Sequence, residues 1–377
     1  MKQHIGIVGS GIVGLAHAIA LLKAGYRITL FDKSPKPVGA SIRNFGLIWP
    51  IGQPQGPIFN RALRTREIWH EMAHKAGFWV NNNGSLHIAH HDDEMAVLQQ
   101  YVDVVQGEHV KLLTPKEVQE ISPMANISAI KGGLYSETES TVYPPEAIWA
   151  LQDWVANHPD ATVSTYDAVL AIEQGVIFTS TQNIEVDHTF VCSGRDLQTL
   201  YPEVMMESGI ILSKLQMLRT KTLNDSNVTG PTLCGGLTLT HYASFTKQCN
   251  EVENVRSRFE KTMPEYMDWG IHVMASFNNH NQITIGDSHE YGLDFDPFEK
   301  ADVNTWIMDY LSTMMNTSSL EIEETWHGVY PKHPSKTEFI AHPEEGVTIV
   351  NGLGGAGMTL SFGLAEEIVQ QELGIHT

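Results

Sequence analysis

The first thirty-two residues constrain the fold more than any other stretch. An apolar run, His4-Ile-Gly-Ile-Val, leads into Gly9, Gly11 and Gly14; a helix is expected over Ala16 to Ala24, Gly25 ends it, and a second strand runs from Arg27 to Phe31. The three glycines serve different physical ends, which are a tight turn, close approach of the backbone to a pyrophosphate, and close packing of helix on sheet. The start of the helix, with Ser10, Ile12 and Val13 around it, presents unsatisfied N–H groups to phosphate charge. Asp32, followed by Lys33, closes the second strand roughly 20 residues on, where an acid holds ribose hydroxyls. Strand, turn, helix, strand and acid in that order spell a dinucleotide-binding βαβ unit.

Charge and composition exclude several classes. The 377 residues suffice for two domains with ample core, and 42% hydrophobic with 18% charged residues describes a globular chain. A formal net charge of −20 argues against nucleic acid, whose backbone needs clustered Lys and Arg. It also means that an anionic substrate must be held by a few local cations against the field of the whole molecule. No apolar run of about 18 residues is present, so no integral membrane segment is expected. Cys192, Cys234 and Cys249 show no C-x-x-C spacing, which argues against a disulfide framework and a zinc site and points to a cytoplasmic protein; no metal is expected.

Beyond Asp32, a Ser/Pro/Gly loop (Ser34 to Gly56) precedes a helix over Pro57 to Ala76, and Phe78 to Ala89 alternates around Asn-Asn-Asn-Gly-Ser like a hairpin. Short helices are expected over Asp93 to Gln106 and Thr114 to Ile121, the second with a capping box, and another opens at Pro145. Strand-like runs, Val163 to Glu173, Val176 to Thr181 and His188 to Cys192, return the chain to the first sheet. Lys214 to Ile285 is mostly strand-forming around one helix (Val252 to Thr262), and a helix follows over Val303 to Met315. Near the end, Gly346 to Ser361 gives a strand and a second glycine-rich turn, Gly352, Gly354, Gly355 and Gly357, before a last helix, Phe362 to Glu372. Two such turns, one at each end of the chain, fit a cofactor longer than a nicotinamide dinucleotide, because a helix N-terminus suits the electron-rich pyrimidine end of a reduced flavin.

These residues also carry a resemblance. The N-terminal fingerprint with Asp32, the loop Ala40-Ser41-Ile-Arg43-Asn44-Phe45-Gly46-Leu47, Cys192-Ser193-Gly194, Trp326-His-Gly328-Val-Tyr-Pro331 and Gly354-Gly355-Ala356-Gly357-Met358-Thr359-Leu-Ser361 together resemble the FAD-dependent D-amino-acid oxidase superfamily over the whole length. Within it, Arg43 to Gly56 and Ile283 to Gly292 are similar to FAD oxidoreductases of bacterial phosphonate breakdown, thought to act on 2-aminoethylphosphonate derivatives. The resemblance implies an α/β fold: a Rossmann-like FAD-binding domain (1–84, 142–213 and 322–377) with a second α+β substrate domain (85–141 and 214–321) on a mainly antiparallel sheet. It implies non-covalent FAD, since relatives with linked flavin carry a Cys where this chain has Glu324-Thr325. The motif residues just named, with Val169, are the expected FAD contacts.

The implied reaction removes a hydride from the carbon next to an amine, delivers it to flavin N5, and leaves an imine for water to hydrolyse, with oxygen or another electron acceptor closing the cycle. No dedicated acid/base pair is required. Tyr330 stands where relatives acting on amino acids often carry an arginine that clamps a carboxylate. A small anionic amine, such as an N-methylated aminophosphonate, is therefore expected as substrate. Arg43 is the first choice for its anion, with Lys332, Tyr330, His241, Tyr242 and His272 as further contacts and Trp49 as a wall. Alternatives are an oxidase or quinone-linked dehydrogenase for D-amino acids, glycine or sarcosine, and, from another class, a flavin-containing binding subunit of a larger complex.

Overall fold

The computed structural model describes residues 2–107, 109–223 and 230–374. It is a mixed α/β fold with two main sheets. The first follows from the fingerprint. His4–Val8 lies between Arg27–Asp32 and His188–Val191, parallel to both; Ala161–Thr165 and Val347–Asn351 extend the sheet on either side, and Phe339–Ala341 closes one edge antiparallel. Helices Ile12–Lys23, Pro57–Ala76, Pro144–Ala156 and Gly357–Leu373 cover it. Ile12–Lys23 is buried through Leu15 to Leu22, as expected of a helix filling the space between sheet and neighbouring helices.

The second sheet has nine strands and is mainly antiparallel. Its spine is Ile211–Thr220, paired along its length with Ile322–Lys332 and with Ile283–Gly286, which in turn pairs Met274–Phe277. Ser85–Ala89 joins it parallel to Thr232–Cys234 and antiparallel to Gly132–Ser136. A separate apolar core lies under this sheet, bringing Leu86, Leu134, Leu215 and Ile285 together with the helices Asp92–Val105, Val252–Thr262 and Ala301–Met314.

Three expectations are corrected. Phe78 to Ala89 is not a hairpin: Val80–Asn81 pairs with Ser140–Val142, and Ser85–Ala89 enters the large sheet. Alternation fixed the strand character but not the partner. The run Val163 to Glu173 is two strands, Ala161–Thr165 and Val169–Glu173, broken at Tyr166 (φ +57°). Ile322–Lys332, expected on the nucleotide side, belongs to the large sheet, because its ten-residue partner Ile211–Thr220 satisfies its backbone there.

Candidate functional site

Two glycine turns form one cradle. A Cβ at Gly14 would collide with Gly9 O, and one at Gly9 (φ +97°) with Cys192 O, so these two glycines are needed by the protein's own packing. Gly11 differs: a Cβ there would meet only Ser41 Oγ, at 3.1 Å. Helix Ile12–Lys23 starts at Gly11 and helix Gly357–Leu373 at Ala356, neither with a side-chain cap of its own nor an acid in its first turn. Ser41 Oγ takes Ile12 N–H at 2.9 Å, leaving further donors of that turn, Val13 among them, on the open side. Asp32 holds the turn, accepting from Ser10 N and Oγ (2.9 and 2.6 Å) and from Ser34 N (2.8 Å). Ser193 Oγ is buried without a partner, and nothing lies within 4 Å of a Cβ at Gly194. Burial raises the Cys192 thiol, which is no nucleophile. Val169 packs with Phe31 and Val191 beside the Asp32 strand, whereas Lys33 is exposed and paired with Asp196.

The loop 40–50 joins cradle and large sheet. Asn44 locks it, donating to Ala40 O and Ser41 O and accepting from Gly46 N. Gly46 (φ +79°) has no room for a side chain beside Val142 O, and Leu47 pairs with Thr141. Phe45 O accepts from Ser276 Oγ, and Trp49 N donates to Thr359 Oγ1 at 3.0 Å, tying the loop to both bodies. The Met358 carbonyl is held by Trp69 Nε1. Arg43 is tied locally: its guanidinium donates to Val38 O and His327 O, and it borders a cavity of about 610 Å³ with Arg219, Glu324 and Trp326. Gly328 lets that strand sit against Arg43 O, 3.1 Å from where its Cβ would be. Neither is brought to the polar cluster described next.

That cluster lies where the large sheet meets the closing turn. Tyr330 OH is 3.4 Å from a Cβ built on Gly355, and the Lys332 side chain 3.3 Å from one on Gly354. Tyr330 OH donates to His289 Nε2 at 2.9 Å, and His289 Nδ1 donates to Gly270 O at 3.1 Å, which fixes the tautomer. The His241 ring lies tilted 3.8 Å from His272 and 4.7 Å from His289, centroid to centroid. Tyr242 packs on His241 and His272 and, on its other side, lies 6.1 Å from Trp49. His272 Nε2 sits 3.1 Å from Asp287 Oδ1, close but out of line for a hydrogen bond, and His272 Nδ1 is buried without a partner. Burial first, then mutual repulsion and Lys332, holds His241 and His272 far below the usual imidazole range; burial brings His289 down to about 4. The three rings are thus neutral at pH 7. Burial raises Asp287, Tyr242 and Tyr330 and lowers Lys332.

Residues 4–371 match the DAO family, described as FAD dependent oxidoreductase. The chain belongs to this family. Solved structures share the fold: glycine oxidase from Geobacillus kaustophilus (TM-score 0.79, 19% identity, 100% of this chain and 96% of that one) and L-proline dehydrogenase from P. horikoshii (0.79, 20%, 100% and 95%). L-alpha-glycerophosphate oxidase from Mycoplasma pneumoniae, solved with FAD bound, has a TM-score of 0.75 at 17% identity over 99% and 95%. A curated relative, the bifunctional tRNA 5-methylaminomethyl-2-thiouridine biosynthesis protein MnmC of Shewanella amazonensis, is 30% identical over 156 residues, 38% of this chain and only 22% of that protein.

As a DAO-family member the chain is an FAD-dependent oxidoreductase, and its cradle fits that cofactor. The open side of Gly11, the orphaned Ser193 Oγ and two uncapped helix starts are what a dianionic pyrophosphate and a flavin ring would complete. Sequence reasoning missed His289 and Asp287. The signal was there: a mostly apolar strand, Ile283-Thr-Ile-Gly286, running straight into Asp-Ser-His, which places ionisable groups at a buried strand end. Among the described residues no helix is long and apolar enough to cross a membrane.

Proposed function

We propose that this oxidoreductase acts on the C–N bond of a small anionic amine, an aminophosphonate such as N-methyl-2-aminoethylphosphonate, with oxygen or another carrier as electron acceptor. The observation that carries the reading is the closed series of contacts from Trp49 through Tyr242, His241, His289 and Tyr330 to Gly355, beside Lys332 and without an arginine.

When bound, FAD supplies the two-electron acceptor for the hydride on the carbon next to nitrogen. The chain's residues do the rest. Lys332 Nζ donates to the anion as a point charge of the kind that binds phosphate, joined by the Tyr330 O–H when it turns from His289 Nε2. Trp49 and Tyr242 exclude water from the far side of the cluster. The neutral rings of His241, His272 and His289 offer an ammonium no negative charge, which favours the uncharged amine whose lone pair the reaction needs.

The test is anaerobic mixing of the purified flavoprotein with N-methyl-2-aminoethylphosphonate, 2-aminoethylphosphonate, glycine, sarcosine and D-alanine while flavin absorbance is followed. Bleaching by the phosphonates is expected, with KM raised at least tenfold in Tyr330→Phe and Lys332→Met. Bleaching by the carboxylates alone would overturn the assignment.

A further inference from the structure

We propose that His241, His272 and His289 form a binding site for one divalent transition-metal ion of the zinc class. The three come from separate segments: the turn after helix Gly236–Leu239, the approach to strand Met274–Phe277, and the end of strand Ile283–Gly286. One ring nitrogen from each lies within 4.8 Å of the other two. Two nitrogens on one tetrahedral ion stand roughly 3.4 Å apart, given Zn–N bonds of about 2.1 Å, so small ring rotations suffice to converge them.

The outer partners match such a site. A ligating imidazole usually gives its second N–H to a carbonyl or carboxylate, which fixes the tautomer and aims the other nitrogen at the ion. His289 does so through Nδ1 to Gly270 O, leaving Nε2 for the ion. His272 Nε2 faces Asp287 Oδ1 at 3.1 Å, leaving Nδ1, the buried nitrogen that has no partner among the described residues. Asp287, itself buried, is the carboxyl group beside His272. Tyr330 OH, 2.9 Å from His289 Nε2, stands where a fourth oxygen ligand or a displaced hydrogen bond would be. The opposing cation, Lys332, turns its ammonium over the Tyr291 ring, 5.1 Å from the centroid, and 3.4 Å from Tyr291 OH. Three imidazoles and an oxygen suit Zn2+, Co2+ or Ni2+ rather than Mg2+ or Ca2+.

The site stands independently of the substrate assignment. Chelator-treated holoprotein, with FAD in place, is titrated calorimetrically with Zn2+. One equivalent should bind, at least a hundredfold more weakly in His241→Asn and in His289→Asn, about tenfold more weakly in Asp287→Asn, and unchanged in His342→Asn, at an exposed histidine. Bound FAD per chain reports that each variant is folded. Should a variant lose FAD, anomalous diffraction at the zinc edge from wild-type crystals decides, with a peak expected among the three rings. No saturable equivalent, binding indifferent to both histidine substitutions, or a zinc peak elsewhere would overturn the site. Flavin bleaching of the metal-free protein by the aminophosphonate reads the proposed oxidation separately, so either proposal can fall alone.

Discussion

Gly11 and Gly14 look alike in sequence and do different work. A Cβ at Gly14 meets the backbone of Gly9, so Gly14→Ala should destabilise the fold by about 1–3 kcal/mol, seen as a lower Tm. A side chain at Gly11 meets only Ser41 Oγ and then the open cradle, so Gly11→Val should keep the fold and lose FAD on dialysis. Buried histidines away from the cluster set an acid limit. His17 and His87 are lowered by burial to about 4 and about 3, while in the unfolded chain they titrate near 6.5. Between those values the unfolded state binds protons that the native state refuses, so stability falls as pH drops from about 6.5 towards 4, by up to about 3 kcal/mol per histidine. Denaturant titrations from pH 7 to 4 should show the slope, and His87→Leu, which removes a ring with neither nitrogen partnered, should flatten it.

At the scale of elements, the cradle depends on two helices that clasp each other. Arg61, on Pro57–Ala76, holds Glu338 and Glu367, and Arg64 holds Glu366, the latter two acids on the closing helix. Gly363 makes the close approach possible, since a Cβ there would lie 2.8 Å from both Arg61 Cγ and Arg61 O. Gly363→Ala should push the closing helix outward, costing about 1–3 kcal/mol and loosening FAD, measurable as a lower Tm together with faster flavin release. Helix Pro57–Ala76 was legible to the residue because Pro57 opens it and Gly77, in the left-handed conformation, ends it. The capping box at Thr114 and Glu117 was equally local and is present. Strand partners were not legible. Val80–Asn81 and Ser85–Ala89 are neighbours in sequence yet pair with different sheets, because each satisfies its backbone against strands distant in the chain.

For the whole molecule, a formal charge of −20 repels any anionic substrate before local contacts begin. Raising ionic strength from about 0.01 M to 0.15 M shortens the screening length from roughly 30 Å to 8 Å. For the proposed aminophosphonate, kcat/KM should therefore rise severalfold with salt while that of a neutral amine stays flat, the reverse of an enzyme with a basic funnel. A fall with salt would mean that the field at the pocket mouth differs in sign from the global charge.

The sequence by itself determined the nucleotide-binding half, because its glycine turns, uncapped helix starts and buried parallel strands are each written within about thirty consecutive residues. Tertiary structure alone decided the substrate side. Arg43 read as the anion contact from its place in the loop, yet two carbonyls, Val38 O and His327 O, hold its guanidinium away from the histidine cluster. His241, His272, His289 and Tyr330, spread over some ninety residues, become neighbours only when the antiparallel strands take their register. Short-range steric rules act on neighbours in the chain and can be read there; a pocket assembled from long-range pairing exists only once the sheet has closed.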